Sequence, residues 1–196
     1  GGVWAGMSGS PVYARDGRLL GAVAYGLAGA TSVAGVTPAE EMLRLLDDDV
    51  SDLAADRVAD ATPRALPQSL QADLVASGAA SSAQAAQGMQ RLPVPLGISS
   101  LTPQRMQQVA EAGADYDFVP YRAAAAGAAT EGAADAASGL RAGSNFAAAL
   151  AYGDVTAAGV GTTTTVCDGV ALAFGHPFLF AGPTSLTAHL AEALYV

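Results

Sequence analysis

The residue types that most often build sites are scarce here: 1 cysteine and 2 histidines occur among 196 residues. A single thiol, Cys167, excludes an internal disulfide and a cysteine metal cluster, while leaving the redox compartment open. With so few imidazoles and thiols a transition-metal centre lacks good ligands, and no His-Glu-x-x-His, Cys-x-x-Cys or calcium-loop pattern is present. The glycines form no phosphate-binding pattern either, so the reading has neither a metal nor a cofactor. Basic residues number 9 against 18 acidic ones, a net charge of -9. That balance leaves no footprint for a phosphate backbone and argues against a nucleic-acid partner. No uninterrupted apolar run of about 18 residues occurs, so no membrane span is expected.

Small apolar residues are plentiful. The chain is 51% hydrophobic, but much of that is alanine, which buries little area at roughly 25 cal/mol per Å2. Order is therefore expected to rest on β segments, giving a mainly β chain with a few helices. Residues 11–15 and 18–25 read as two strands joined by a two-residue turn at Asp16-Gly17, because Asp-Gly tolerates positive φ. A short apolar run, 33–36, follows. Thr37-Pro38-Ala39-Glu40 then carries a capping signature, with Thr37 as N-cap, Pro38 at the first helical position and Glu40 reaching back. The helix stops at the charge run Asp47-Asp48-Asp49, which reads as a solvated helix end.

Three regions result: 1–47, a connector at 48–90, and 91–196. The connector is rich in Ala, Ser, Asp and Gln and reads as loop with amphipathic helical stretches. Beyond it, 92–98 reads as an edge strand because two prolines remove ladder donors. Thr102-Pro103 starts a helix that Gly113 stops. Residues 116–121 are a short aromatic segment, 122–139 a mobile Ala/Gly loop, and 140–152 a strand. Residues 155–166 form a strand containing four consecutive threonines, Thr162 to Thr165, whose β-branching suits it. Asp168-Gly169 makes a second tight hairpin returning through 170–174, and 186–194 reads as a helix or a helix-like turn.

Two places carry candidate chemistry. Gly6-Met7-Ser8-Gly9-Ser10-Pro11 sets a serine between glycines on a turn between two short apolar runs. It suits either a nucleophile on a tight loop or a plain turn, since Ser, Gly and Pro are the commonest turn residues. It is not the Gly-x-Ser-x-Gly elbow of the α/β-hydrolases, because position 10 is serine. His176, bracketed by Gly175 and Pro177 just past a hairpin, suits either a general base facing a cleft or a histidine satisfied by turn backbone. His189, on an Ala/Leu-rich segment, reads as packing or surface.

The hexapeptide, the following Asp16-Gly17-Arg18-Leu19-Leu20-Gly21-Ala22-Val23 and the later 35–43 segment resemble the stage IV sporulation protein B (SpoIVB) peptidase family, nearly without a break from Gly1 to Leu46. Gly161-Thr162-Thr163-Thr164, Asp168-Gly169 and Ala173-Phe174-Gly175-His176 resemble the segment carrying that family's catalytic histidine. The resemblance implies incomplete chymotrypsin-like β-barrels joined by the Ala-rich connector, and a serine endopeptidase acting on a protein or peptide substrate outside the cytoplasm. It makes Ser8 the nucleophile, His176 the general base, the N–H groups of Gly6 and Ser8 the oxyanion hole, and Met7 a flank of the substrate pocket. The family's aspartate falls upstream of Gly1, so the chain reads as a fragment that is inactive alone. The family's histidine precedes its serine, whereas here Ser8 comes first. Either the halves are permuted, or the two residues belong to different barrels; triads are defined by geometry and not by chain order. The competing class is a catalytically inactive, peptidase-like binding or scaffold module.

Overall fold

The computed structural model describes residues 2–29, 31–47, 62–113, 118–123, 139–179 and 184–191. Among them the chain is mainly β, with ten strands, four helices and a single 3-10 turn at Ala5–Met7. The first sheet is built on β2 (Leu19–Leu27), which pairs antiparallel with β1 (Pro11–Tyr13), β3 (Ala34–Pro38) and β4 (Met89–Arg91). β3 covers one side of β2; β1 and β4 lie end to end along the other. The second sheet runs β10 (Thr187–Leu190), β7 (Asn145–Ala151), β8 (Ala157–Cys167), β5 (Val94–Ile98), β6 (Phe118–Arg122), and β9 (Val170–Ala173) pairs with β8. Both sheets are open among the described residues.

The second hairpin forms as its sequence dictates: Asp168 (φ 49) and Gly169 (φ 80) supply the two left-handed residues of a tight turn between β8 and β9. The first hairpin is wider than a two-residue turn. Gly17 N–H donates to Ala14 O at 3.0 Å and Ala14 N–H to Arg18 O at 2.8 Å, leaving Arg15, Asp16 and Gly17 as the loop with only Gly17 left-handed. The Asp16 carboxyl is held below its ordinary pKa by the Arg18 backbone N–H and then by its guanidinium. This contribution is present above the ordinary carboxylate range and fades as pH falls through the lowered value.

Several other expectations are corrected. Thr37 ends a strand and does not cap a helix: its hydroxyl donates to Gly175 O at 2.6 Å, and α1 (Ala39–Asp47) begins after Pro38. Glu40 bonds Arg44 at 2.7 Å, one helical turn on, instead of reaching back. Residues 92–98 do not form an edge strand, since β5 lies between β8 and β6. Its proline is tolerated because only Leu96–Ile98 pair with β8, so Pro95 precedes the ladder that needs its missing N–H. The segment read as a terminal helix contains the strand β10; residues 192–194 of it lie outside the described set, as do Asp48, Asp49, residues 116–117 and 124–138 of the Ala/Gly loop.

From residue 62 on, the connector is more ordered than its composition implies, residues 48–61 lying outside the described set. It holds α2 (Gln68–Ala76) and α3 (Ser82–Gln87), the latter opened by a reciprocal Ser81/Gln84 capping box. Leu27, Ala80 and Met89 close a small core there with Tyr25, Val33, Leu66 and Leu74. β4 then joins the first sheet, and Leu92 N–H donates to Ala24 O at 2.9 Å immediately before β5 enters the second. α4 (Pro103–Gly113) starts as read, with Arg105 N–H donating to Thr102 Oγ1 at 3.4 Å, and makes β5 and β6 parallel neighbours.

One face of β8 explains its glycines. A Cβ on Gly161 would meet the Phe174 ring at 2.5 Å, and one on Gly159 the Phe178 ring at 2.3 Å. Those rings stack at 4.8 Å, with Phe146 edge-on to Phe174 and Phe118 edge-on to Phe178. Gly159→Ala is therefore expected to lower stability by about 1–3 kcal/mol through overpacking, read as a shifted denaturant midpoint at an unchanged m value.

Candidate functional site

The serine loop is inserted into a break in the β8 ladder. Along the edge of β8 opposite β7, β5 covers 157–159 and β9 covers 163 onward. Thr162 stands between them. Its N–H donates to Ser8 O at 2.8 Å and its carbonyl accepts from Phe174 N–H at 3.2 Å, so one residue touches both candidate segments. On β2 the loop occupies the interval between β1 and β4, where Gly9 N–H donates to Val23 O at 2.8 Å and Val23 N–H to Ser10 O at 2.9 Å.

Every loop carbonyl is consequently satisfied, as a buried turn requires. Met7 N–H donates to Trp4 O (3.0 Å), Ser8 N–H to Ala5 O (3.1 Å) and Ser10 N–H to Met7 O (2.8 Å). Thr162 Oγ1 donates to Gly6 O at 3.0 Å and Thr164 Oγ1 to Gly9 O at 2.7 Å. Gly9 has φ +93, and a Cβ there would stand 2.0 Å from Thr162 O, so glycine is required for both conformation and space. At Gly6 the constraint is Trp4, whose ring lies where a Cβ would be, 2.0 Å away.

Ser8 is 1% exposed, and its hydroxyl donates to Phe174 O. Ser8 and Phe174 are 166 positions apart in the chain, and His176 is two residues farther on. The structure thus brings the serine loop and the histidine-bearing loop together despite their inverted order. Ser8 Oγ in this arrangement is engaged with a carbonyl. His176 is half-buried, and its Nδ1 lies 3.0 Å from Pro177 O. A carbonyl can only accept, so the neutral ring carries its proton on Nδ1 and its basic lone pair on Nε2, the tautomer a general base needs.

The loop before His176 is strained. Phe174 has φ 68, an outlier for a bulky residue, and Gly175 follows at φ 64 with Val23 O 2.8 Å from where a Cβ would sit. Three contacts hold it: Phe174 N–H on Thr162, Ser8 Oγ on Phe174 O, and Thr37 Oγ1 on Gly175 O. Of the two N–H groups assigned to an oxyanion hole, that of Ser8 donates to Ala5 O, while at Gly6 the carbonyl, which belongs to the following Gly6–Met7 peptide, accepts from Thr162 Oγ1. Met7 is half-buried.

No protein-family model, curated protein or solved structure matches this chain. Among the described residues no group of three His, Cys, Asp or Glu side chains is placed to hold a metal ion, and no helix is long and apolar enough to cross a membrane. Sequence reasoning missed Thr162, Thr164, Thr37 and Phe174. A usable signal was there for the first two: hydroxyls repeated at alternate positions of an otherwise apolar strand share a face and need acceptors once buried. Phe174 gave none, because phenylalanine is a poor marker of positive φ.

His189 lies on β10, stacked on Tyr152 with ring centroids 6.1 Å apart. It belongs to the far edge of the second sheet.

The two left-handed glycines of the first unit give a controlled comparison. Gly9→Ala is expected to lose clearly more stability than Gly17→Ala. The second has φ +85 and open space, so it incurs only the left-handed backbone cost of about 1–2 kcal/mol, whereas the first must also displace Thr162 O. Thermal unfolding of both variants reads the difference; equal shifts would show that the Gly9 contact relaxes freely.

Proposed function

We propose that this chain carries the site of a serine endopeptidase of the SpoIVB peptidase type, on a chymotrypsin-like β framework. The observation that carries the reading is the hydrogen bond from Ser8 Oγ to Phe174 O, which sets the serine two residues from His176. Two sequence patterns read separately as nucleophile loop and base loop thereby meet in one place. In the reaction His176 Nε2 takes the proton of Ser8 as its oxygen attacks the substrate carbonyl, then returns it to the leaving amine. The N–H groups of Gly6 and Ser8 receive the developing oxyanion, and Met7 flanks the substrate side chain. Each donor of this kind is worth about 100- to 1,000-fold in rate. The substrate is a protein or peptide, met outside the cytoplasm.

The resting arrangement must open before this chemistry runs. Ser8 Oγ has to leave Phe174 O for the imidazole, and Ser8 N–H has to turn away from Ala5 O. Those same two engagements favour a second reading, an inactive peptidase-like binding module in which the serine loop survives as a packed turn. A fluorophosphonate probe separates the two on the full-length protein. Labelling is expected at Ser8, lost in Ser8→Ala and slowed about 100- to 10,000-fold in His176→Ala. Parent labelling no faster than that of Ser8→Ala would establish the binding module instead.

A further inference from the structure

We propose that Thr162 and Thr164 are positioning residues for the nucleophile, holding the loop carbonyls on either side of Ser8 and so fixing where its backbone and hydroxyl stand. The inference rests on the peptidase reading for its catalytic consequence, and on the hydrogen bonds alone for its structural one.

Thr162 and Thr164 are alternate residues of one strand, so their side chains leave the same face of β8. That face is turned to the serine loop. Thr162 Oγ1 donates to Gly6 O at 3.0 Å and Thr164 Oγ1 to Gly9 O at 2.7 Å, while Thr162 N–H takes Ser8 O between them at 2.8 Å. Three donors from one rigid strand thus grip three of the four carbonyls from Gly6 to Gly9. Thr164 is fully buried and Thr162 nearly so, which removes water as a substitute donor. Ser10 adds its hydroxyl at 3.5 Å from Thr162 Oγ1, extending the contact one residue further.

Threonine suits the task better than serine. Its branched Cβ restricts χ1, so the hydroxyl is aimed before the loop arrives. The strand that grips Ser8 also continues through Asp168-Gly169 into β9 and the His176 loop. A single hairpin therefore sets both partners. The grip acts on the peptide units that flank the oxyanion donors: fixing Gly6 O fixes the plane of the Gly6–Met7 peptide, which lies between the Gly6 and Ser8 N–H groups, and fixing Ser8 O fixes the Ser8–Gly9 peptide on the other side of the nucleophile. Misplacement of a reacting group by about 1 Å costs on the order of 100-fold in rate.

The test uses Thr162→Val, Thr164→Val and Thr162→Ser in the full-length protein, each read in two ways. The first is backbone amide exchange at Met7, Ser8 and Ser10. Both valine variants are expected to speed it about 10-fold or more relative to the parent, with the β7–β8 amides still protected and the serine variant near the parent. The second is fluorophosphonate labelling of Ser8. The valine variants should lower its limiting rate about 10- to 100-fold with little change in the half-saturating probe concentration, and serine should restore most of it. Unchanged loop exchange in folded valine variants overturns the proposal. Parent labelling no faster than that of Ser8→Ala overturns the peptidase reading, and the exchange arm then decides the grip by itself. Should Thr162→Val fail to fold, Thr164→Val carries the same pair of measurements.

Discussion

The structure depends on a break in one hydrogen-bond ladder. β8 is paired along one edge by β5 as far as Gly159 and by β9 from Thr163, and in the interval the ladder is completed at Thr162 by the serine loop. Unpaired backbone groups at such a buried position would each cost about 1–3 kcal/mol. Inserting Ser8 O and Phe174 N–H there removes that cost and ties the first sheet to the second. The same insertion places a nucleophile candidate beside a histidine-bearing loop.

Glycine and threonine divide the work along β8 by the alternation of a strand. Odd positions 159 and 161 are glycines, leaving room for the stacked rings of Phe178 and Phe174. Even positions 162 and 164 are threonines whose hydroxyls reach the loop on the other face. Thr163, between them, is fully buried and faces away from the loop, its backbone taking Ser144 O and Gly143 N–H instead. Aromatic packing on one face holds Phe174 in its left-handed conformation, and the loop contact on the other gives that conformation a hydrogen bond to satisfy.

The two ends of the chain share their packing. Met42 of α1, Ala22 of β2 and Leu172 of β9 form one cluster, with Leu46 against it, so the closing helix of the first unit rests on the hairpin of the last. Thr37 adds a hydrogen bond across the same junction. Residues 62–91, though poor in large apolar groups, order themselves because β2 supplies the surface they lack. A boundary drawn after residue 90 falls inside β4, Met89–Arg91.

Much of the local structure was legible in the residues alone. Asp168-Gly169 specified a tight turn because both residues tolerate positive φ, Thr102-Pro103 specified a helix start, and Gly6 to Pro11 announced a loop with a serine at its centre. These outcomes depend on neighbours a few positions away, which a sequence displays directly. The tertiary structure alone decided that Thr37 bonds Gly175 and not its own helix, that β5 lies inside its sheet despite Pro95, that a run of threonines serves as a set of donors, and that Ser8 meets Phe174 of the His176 loop across 166 positions. In each case the partner is a backbone group brought from far along the chain. A carbonyl looks alike in every residue, so no sequence pattern marks which one a buried hydroxyl will find.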